Sequence, residues 1–290
     1  MRLVLAICAI AFALTASLDA IHVVPGRSRS GAQESLPARS HLGFDRNEYP
    51  GDALLPALRR TFSFTGYWLN NPSGATVNSW TGKRAILVQA GFGFLLLFNG
   101  RLDRELKRAG DPAALGATDG QTAAASSGHE GFHPGAVIFL DQEEGGRMLP
   151  EQLAYLLAWV DAVSSAGFGA GIYCSGMPAR EGHGQAVITA NDIREHAGSR
   201  PIVYFVFNDA CPPAPGCAYS SAAPSPASSG VAFASVWQFA QSPRRREFTK
   251  ACRVTYNRDG NCYAPGTASA SAIDVDLDSA TSPDPSSGRQ

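Results

Sequence analysis

From Leu42 onward the chain repeats one pattern: a short apolar run, then a stretch with helical spacing. Short apolar runs bounded by turn residues are strands, and strands that alternate with helices build a parallel sheet. The runs are His41–Asp45, Phe64–Leu69, Phe92–Phe98, Ala136–Asp141, Gly169–Cys174, Pro201–Phe207, Val231–Phe239 and Ile273–Leu277. Phe92–Phe98 is apolar nearly throughout, as a strand covered on both faces should be. Helices are expected over 52–60, over 80–90, from Pro150 to Ser165, where proline suits the first turn, and from Asn191 to His196. Residues 103–133, rich in Asp, Ala and Gly, read as mixed helix and loop. The pattern predicts an α/β fold: a single (β/α)8-type TIM barrel, irregular, with some helices short or missing. A doubly wound open sheet gives a similar pattern. However, Gly43-Phe-Asp-Arg46 after the first strand is not a GxGxxG phosphate loop, which argues against a nucleotide-binding sheet.

Composition narrows the class. The chain has 290 residues, 44% hydrophobic and 17% charged, enough for a full core. A net charge of -1 gives no basic excess to hold a phosphate backbone, so nucleic acid is not expected as a partner. The expected layout is a signal peptide over 1–20, a flexible lead over 21–40, the barrel over 41–280 and a disordered tail over 281–290. Arg2 supplies the positive start, and Leu3 to Leu14 is a charge-free apolar run with small residues after it. That run is shorter than the about 20 residues a membrane span needs; a membrane anchor is the alternative. No later segment is long and apolar enough to span a bilayer, so the expected product is a secreted or periplasmic monomer.

Cysteine usage agrees with export. Cys211 with Cys217 and Cys252 with Cys262 are two close pairs that would close small loops in an oxidising compartment. Zinc is the weaker alternative, since neither pair has CxxC spacing. Cys174, at a strand end, reads as a buried small residue rather than a nucleophile.

In such a barrel the reactive groups gather at the C-terminal ends of the strands. The polar residues expected there include Asp45, Tyr67, Asn99, Asp141, Glu143, Glu144, Tyr173, Asn208, Trp237, Gln238, Asp276 and Asp278. Acids dominate and bases are nearly absent, a profile suited to glycoside cleavage, where carboxylates protonate the leaving oxygen and stabilise an oxocarbenium-like charge. The sharpest feature is Asp141-Gln-Glu143. Residues two apart on a strand share a face, so both carboxyls would point into the mouth, their Cβ atoms roughly 6 to 7 Å apart. Like charges held close would raise one pKa, keeping Glu143 protonated as general acid while Asp141 stays ionised. If the strand ends early, Glu144 competes for that place. Trp237 is either a sugar-stacking ring or a core residue, and Gln238, Tyr67 and Tyr173 are candidate sugar contacts.

Several of these groups occur together in one family. Gly43-Phe-Asp45, Phe139-Leu-Asp-Gln-Glu143, Gly171-Ile-Tyr-Cys-Ser175, Val236-Trp-Gln-Phe239 and Val275-Asp-Leu-Asp278 resemble, in order, five strand motifs of the family 25 lysozymes. The chain is still more similar to the glycoside-hydrolase-like barrels once grouped as domain of unknown function 1906, over about residues 42 to 280. The resemblance implies catalytic Asp141 and Glu143: Glu143 as general acid/base, Asp141 as stabiliser of the transition state or of a reacting N-acetyl group. It further implies that Asp45 and Asp276 line the site and that Tyr173, Trp237 and Gln238 hold sugar. Asp278 departs from the family's closing Asn, and Glu144-Gly-Gly-Arg147 extends the acidic strand. The expected activity is retaining cleavage of a β-linked amino-sugar polymer such as peptidoglycan, with no cofactor and no metal. The alternatives are a glycan-binding barrel without catalysis and a metal-dependent hydrolase using Asp45, Asp141, Glu143 and Asp276 as oxygen ligands.

Overall fold

In a computed structural model, residues 39–208, 223–240, 262–263 and 274–290 are described. Eight strands close into a barrel: β1 (His41–Asp45), β2 (Phe64–Trp68), β3 (Gly93–Asn99), β4 (Val137–Asp141), β5 (Gly169–Ser175), β8 (Ile202–Phe207), β9 (Val236–Ala240) and β11 (Asp274–Ala280). A short hairpin, β6 (Pro178–Arg180) and β7 (Ala186–Ile188), follows β5, and β10 (Cys262–Tyr263) pairs along β11. The α/β-barrel expectation holds, with one correction of direction. Neighbours from β1 round to β9 are parallel, but β11 lies antiparallel to both β9 and β1. The alternating pattern reports strands but not their direction, and an antiparallel return needs no crossover helix.

Side chains alternate in and out along each strand. Inside the barrel, large rings face glycines on neighbouring strands. A Cβ at Gly43 would lie 2.1 Å from the Phe64 ring, and one at Gly171 would lie 2.4 Å from Phe139. Tyr173 and Phe205 continue this inner layer with ring centroids 4.7 Å apart. The outward faces of the strands meet a ring of helices: α1 (Leu55–Arg59), α2 (Arg84–Gln89), α3 (Asp103–Ala109), α4 (Pro112–His129), α5 (Pro150–Ser165) and α6 (Thr189–His196). The 18-residue α4 occupies much of the segment expected to be mixed. Its glycines serve packing: a Cβ at Gly116 would fall 2.1 Å from the Tyr155 carbonyl oxygen of α5, so the two helices touch backbone to backbone.

Residues 281–290, expected to be disordered, are an ordered floor. Pro283 and Asp284 fill the space over Gly93 at the start of β3. The Asp284 carboxylate accepts from the backbone N–H groups of Phe94, Gly288 and Arg289 at 2.7, 3.1 and 3.0 Å. Ser286 slots between β3 and β4, donating its N–H to the Phe94 carbonyl and accepting from Val137 N–H, while its hydroxyl accepts from Leu96 N–H. The polar composition suggested mobility, but these side chains answer backbone groups left open where β3 and β4 have not yet paired. The signal segment, the lead up to residue 38, Cys211, Cys217, Cys252 and the Cys262 side chain lie outside the described residues.

Candidate active site at the barrel mouth

Each acid at the mouth is placed by the strand that carries it. Val137 to Leu140 form an apolar strand that ends in Asp141, whose residue is 5% exposed. Asp141 is level with Asn99 of β3 and Tyr173 of β5 in the ladder. Asp45, 6% exposed, ends β1 and stands opposite Asp276 of β11. One inward step further down β11, the fully buried Asp278 stands opposite Gly43 on one side and Gln238 of β9 on the other. Because β11 runs downward, its early residues lie at the mouth and its later ones deeper. Gly66 clears the inner face beside this cluster, since a Cβ there would lie 2.6 Å from the Asp45 Cβ.

A chain of hydrogen bonds crosses the cluster. Tyr173 Oη donates to Gln238 Oε1 at 2.8 Å, and Gln238 Nε2 donates to Asp45 Oδ2 at 2.7 Å. The carboxyls of Asp45 and Asp278 meet, a contact that becomes a hydrogen bond once one of them carries a proton. Asp141 Oδ1 and both oxygens of Asp278 are buried with no donor hydrogen-bonded to them. Buried polar atoms in folded proteins are nearly always partnered, so these orphans stand out.

The electrostatics follow from burial and like charge. Burial pushes the Asp45 carboxyl up to about 6, with the Glu143 charge adding and the bonds to Gln238 and Asp278 opposing. Asp141 is raised well above the usual carboxylate range, first by burial, then by Glu143 and Asp45. Asp278 is raised in the same way by burial, Asp45 and Asp276. The Tyr173 phenol is raised by burial and then by Asp141, Glu143, Asp45 and Asp276. Asp45, Asp141, Tyr173, Gln238, Glu143 and Asp276 thus form one cluster of interacting groups at the mouth. Asp141, expected to stay ionised, instead has its carboxyl pushed toward the neutral form by its surroundings. Burial, the largest cause, acts on Asp141, whereas Glu143 lies exposed at the rim.

Glu143 and Glu144 differ in their hydrogen bonds rather than through alternation, since β4 ends at Asp141. Glu144 Oε2 accepts from Asp103 N–H at the start of α3 and from Gln152 Nε2 of α5, at 2.7 and 2.8 Å. That spends Glu144 on tying helices. The loop is also clamped beyond Glu143: Thr189 Oγ1 accepts from Gly146 N–H at 2.8 Å and donates to the Gly146 carbonyl at 2.9 Å.

Two expected sugar contacts lie elsewhere. Tyr67 follows the inward Gly66 and so points out. It is fully buried beneath Trp80, Phe94 and Phe132, and its hydroxyl donates to Glu130. Trp237 precedes the inward Gln238 and also points out; it is 5% exposed, packs beside Phe239, and its indole N–H donates to the Asn208 carbonyl. Conversely, Asp278, expected among the polar residues of the mouth but given no role there, belongs to the cluster. The signal was present: it sits two residues from Asp276 on one strand and therefore shares its face. Among the described residues no three His, Cys, Asp or Glu side chains are grouped so as to hold a metal ion. No helix among them is long and apolar enough to cross a membrane.

A closed α/β barrel with buried carboxyls at one mouth defines a class, and sequence comparison narrows it. Residues 80–204 match the family described as the Rv2525c-like, glycoside hydrolase-like domain. Over that stretch, a little under half of the chain, the sequence is similar to that glycoside-hydrolase-like family. Comparison with curated proteins brings no match. Three solved structures illustrate the likeness. An uncharacterised B. stearothermophilus protein is 16% identical, covering 82% of this chain and 94% of its own, with a TM-score of 0.49. The Tat-secreted Rv2525c of Mycobacterium tuberculosis is 11% identical, covering 83% and 94%, with a TM-score of 0.48. The Clostridium perfringens spore cortex lytic enzyme SleM is 14% identical, covering 86% and 70%, with a TM-score of 0.47.

Proposed function

We propose that this protein is an exported glycosidase that cleaves a β-linked amino-sugar polymer such as peptidoglycan. The observation that carries the reading is the union of buried Asp141, whose carboxyl burial and the Glu143 charge push upward, with exposed Glu143 at one barrel mouth. Glycoside hydrolysis needs an acid within reach of the glycosidic oxygen and a second carboxyl beside the sugar ring. Glu143 is the accessible one. Its carboxyl gives a proton to the leaving oxygen as the glycosidic bond breaks, and its carboxylate later takes a proton from the incoming water. Asp141 sits below, where a neutral carboxyl donates a hydrogen bond to the sugar or to its N-acetyl group. Asp45, Tyr173, Gln238 and Asp276 shape the rest of the mouth. Export rests on the charge-free run Leu3–Leu14.

The test is the release of reducing ends from purified peptidoglycan by the wild type and by Glu143→Gln. The expected loss is about 100-fold or more, the usual contribution of a general acid. Equal rates would remove Glu143 from the reaction, and tight binding by the wild type with no product would turn the site into a glycan-binding one.

A further inference from the structure

The acids at the mouth are not equivalent, and the deepest of them has no role in the scheme above. Asp278 is fully buried, and no N–H or O–H hydrogen-bonds to either of its carboxyl oxygens. The titratable groups acting on it are two carboxyls, Asp45 from β1 and Asp276 from its own strand. Gln238 of β9, level with Asp278 in the ladder, gives its N–H to Asp45 instead. Asp45 therefore already accepts one donor, and Gln238 cannot turn to serve Asp278 without losing the bond from Tyr173 to its oxygen.

We propose that Asp45 and Asp278 hold one proton between them, that Asp278 carries it, and that Asp278 is thereby the residue that positions Asp45 at the mouth. Every donor in the row then leads to Asp45. Tyr173 O–H donates to Gln238, Gln238 N–H donates to Asp45, and Asp278 O–H donates to Asp45 from below. Asp45 becomes the ionised end of the row, with two donors fixing its plane, and Asp278 avoids a charge that nothing beside it would balance. The directions of the titrations agree: Asp45 is held near 6 while Asp278 is pushed well above the carboxylate range. Two carboxyls whose surroundings separate their proton affinities in this way divide into a donor and an acceptor.

The test needs no substrate, so it stands or falls apart from the glycosidase reading. In protein carrying carbon-13 in its Asp carboxyls, the wild-type Asp278 signal is expected to stay at its protonated position at pH 7, while Asp45 titrates near 6. Asp278→Asn puts a neutral N–H donor where the proposal has a neutral O–H donor, so the Asp45 midpoint is expected to stay within about half a pH unit of the wild type, whereas a fall of a full unit would reveal an ionised Asp278 and overturn the proposal. Asp278→Leu removes the donor and is expected to move the midpoint upward. An ionised Asp278 in the wild type at pH 7 would overturn the proposal. So would an Asp45 midpoint that shifts equally in both variants, since that is the mark of a merely structural side chain. If the leucine variant does not fold, the wild-type signal and the Asp45 midpoint in the asparagine variant decide alone.

Discussion

The floor and the mouth of this barrel treat their polar groups in opposite ways. At the floor the Asp284 carboxylate accepts from three backbone N–H groups, and Ser286 answers the open edges of β3 and β4. At the mouth Asp141 and Asp278 keep buried oxygens with no hydrogen-bond donor, and like charges crowd one another. The floor is what a chain builds when stability alone is served. The mouth sacrifices stability, as sites that do chemistry commonly do.

That contrast is open to test at each end. The largest effect is expected at the floor: Asp284→Ala leaves three N–H groups without their acceptor and should cost about 3 kcal/mol, read as a lower denaturant midpoint with activity per folded molecule retained. A stability unchanged within error would mean the floor is ornament rather than support.

Asp141→Asn should do the reverse at the mouth, removing a carboxyl that resists ionisation. A carboxyl whose pKa is raised by folding contributes stability fully below its unfolded value near 3.9, and loses it as pH climbs through the folded value. The wild type should therefore weaken as pH rises from about 4 past 6, where Asp45 adds its own titration. Asp141→Asn should flatten that slope and be more stable at pH 8 by roughly 1–2 kcal/mol, while losing activity. A steeper slope, or lower stability at pH 8, would contradict the burial-driven shift. The smallest change is expected between the two ends. Tyr67→Phe loses the bond to Glu130 in the outer layer, costing about 1 kcal/mol and leaving the rate of glycan cleavage unaltered. A fall in rate without a fall in stability would return Tyr67 to the site.

Much of this arrangement was legible in the chain. Strand periodicity located the barrel strands to within a few residues, and the acids ending β1 and β4 came out together because alternation and strand-end position are local properties. What escaped reading depended on distant partners. Tyr67 and Trp237 follow or precede an inward residue by one position, and only Gly66 against Asp45 and Gln238 against Tyr173 reveal which phase is inward. α4 read as mixed because its glycines lower helix propensity, yet it is the Tyr155 backbone of α5 that requires one of them. The hairpin of β6 and β7 is too short to show a period. The floor was hidden because serine and proline look the same in sequence whether or not open backbone groups await them.

The downward course of β11 has a mechanical consequence. One continuous segment supplies Asp276 at the rim, Asp278 beneath it and Asp284 under the floor. A slide of that segment by a single residue would turn Leu277 toward the barrel interior and both acids toward the helices. The same slide would drag Asp284 off the amides it serves, so alignment at the top is guarded by a latch at the bottom, on the far side of the barrel from the chemistry.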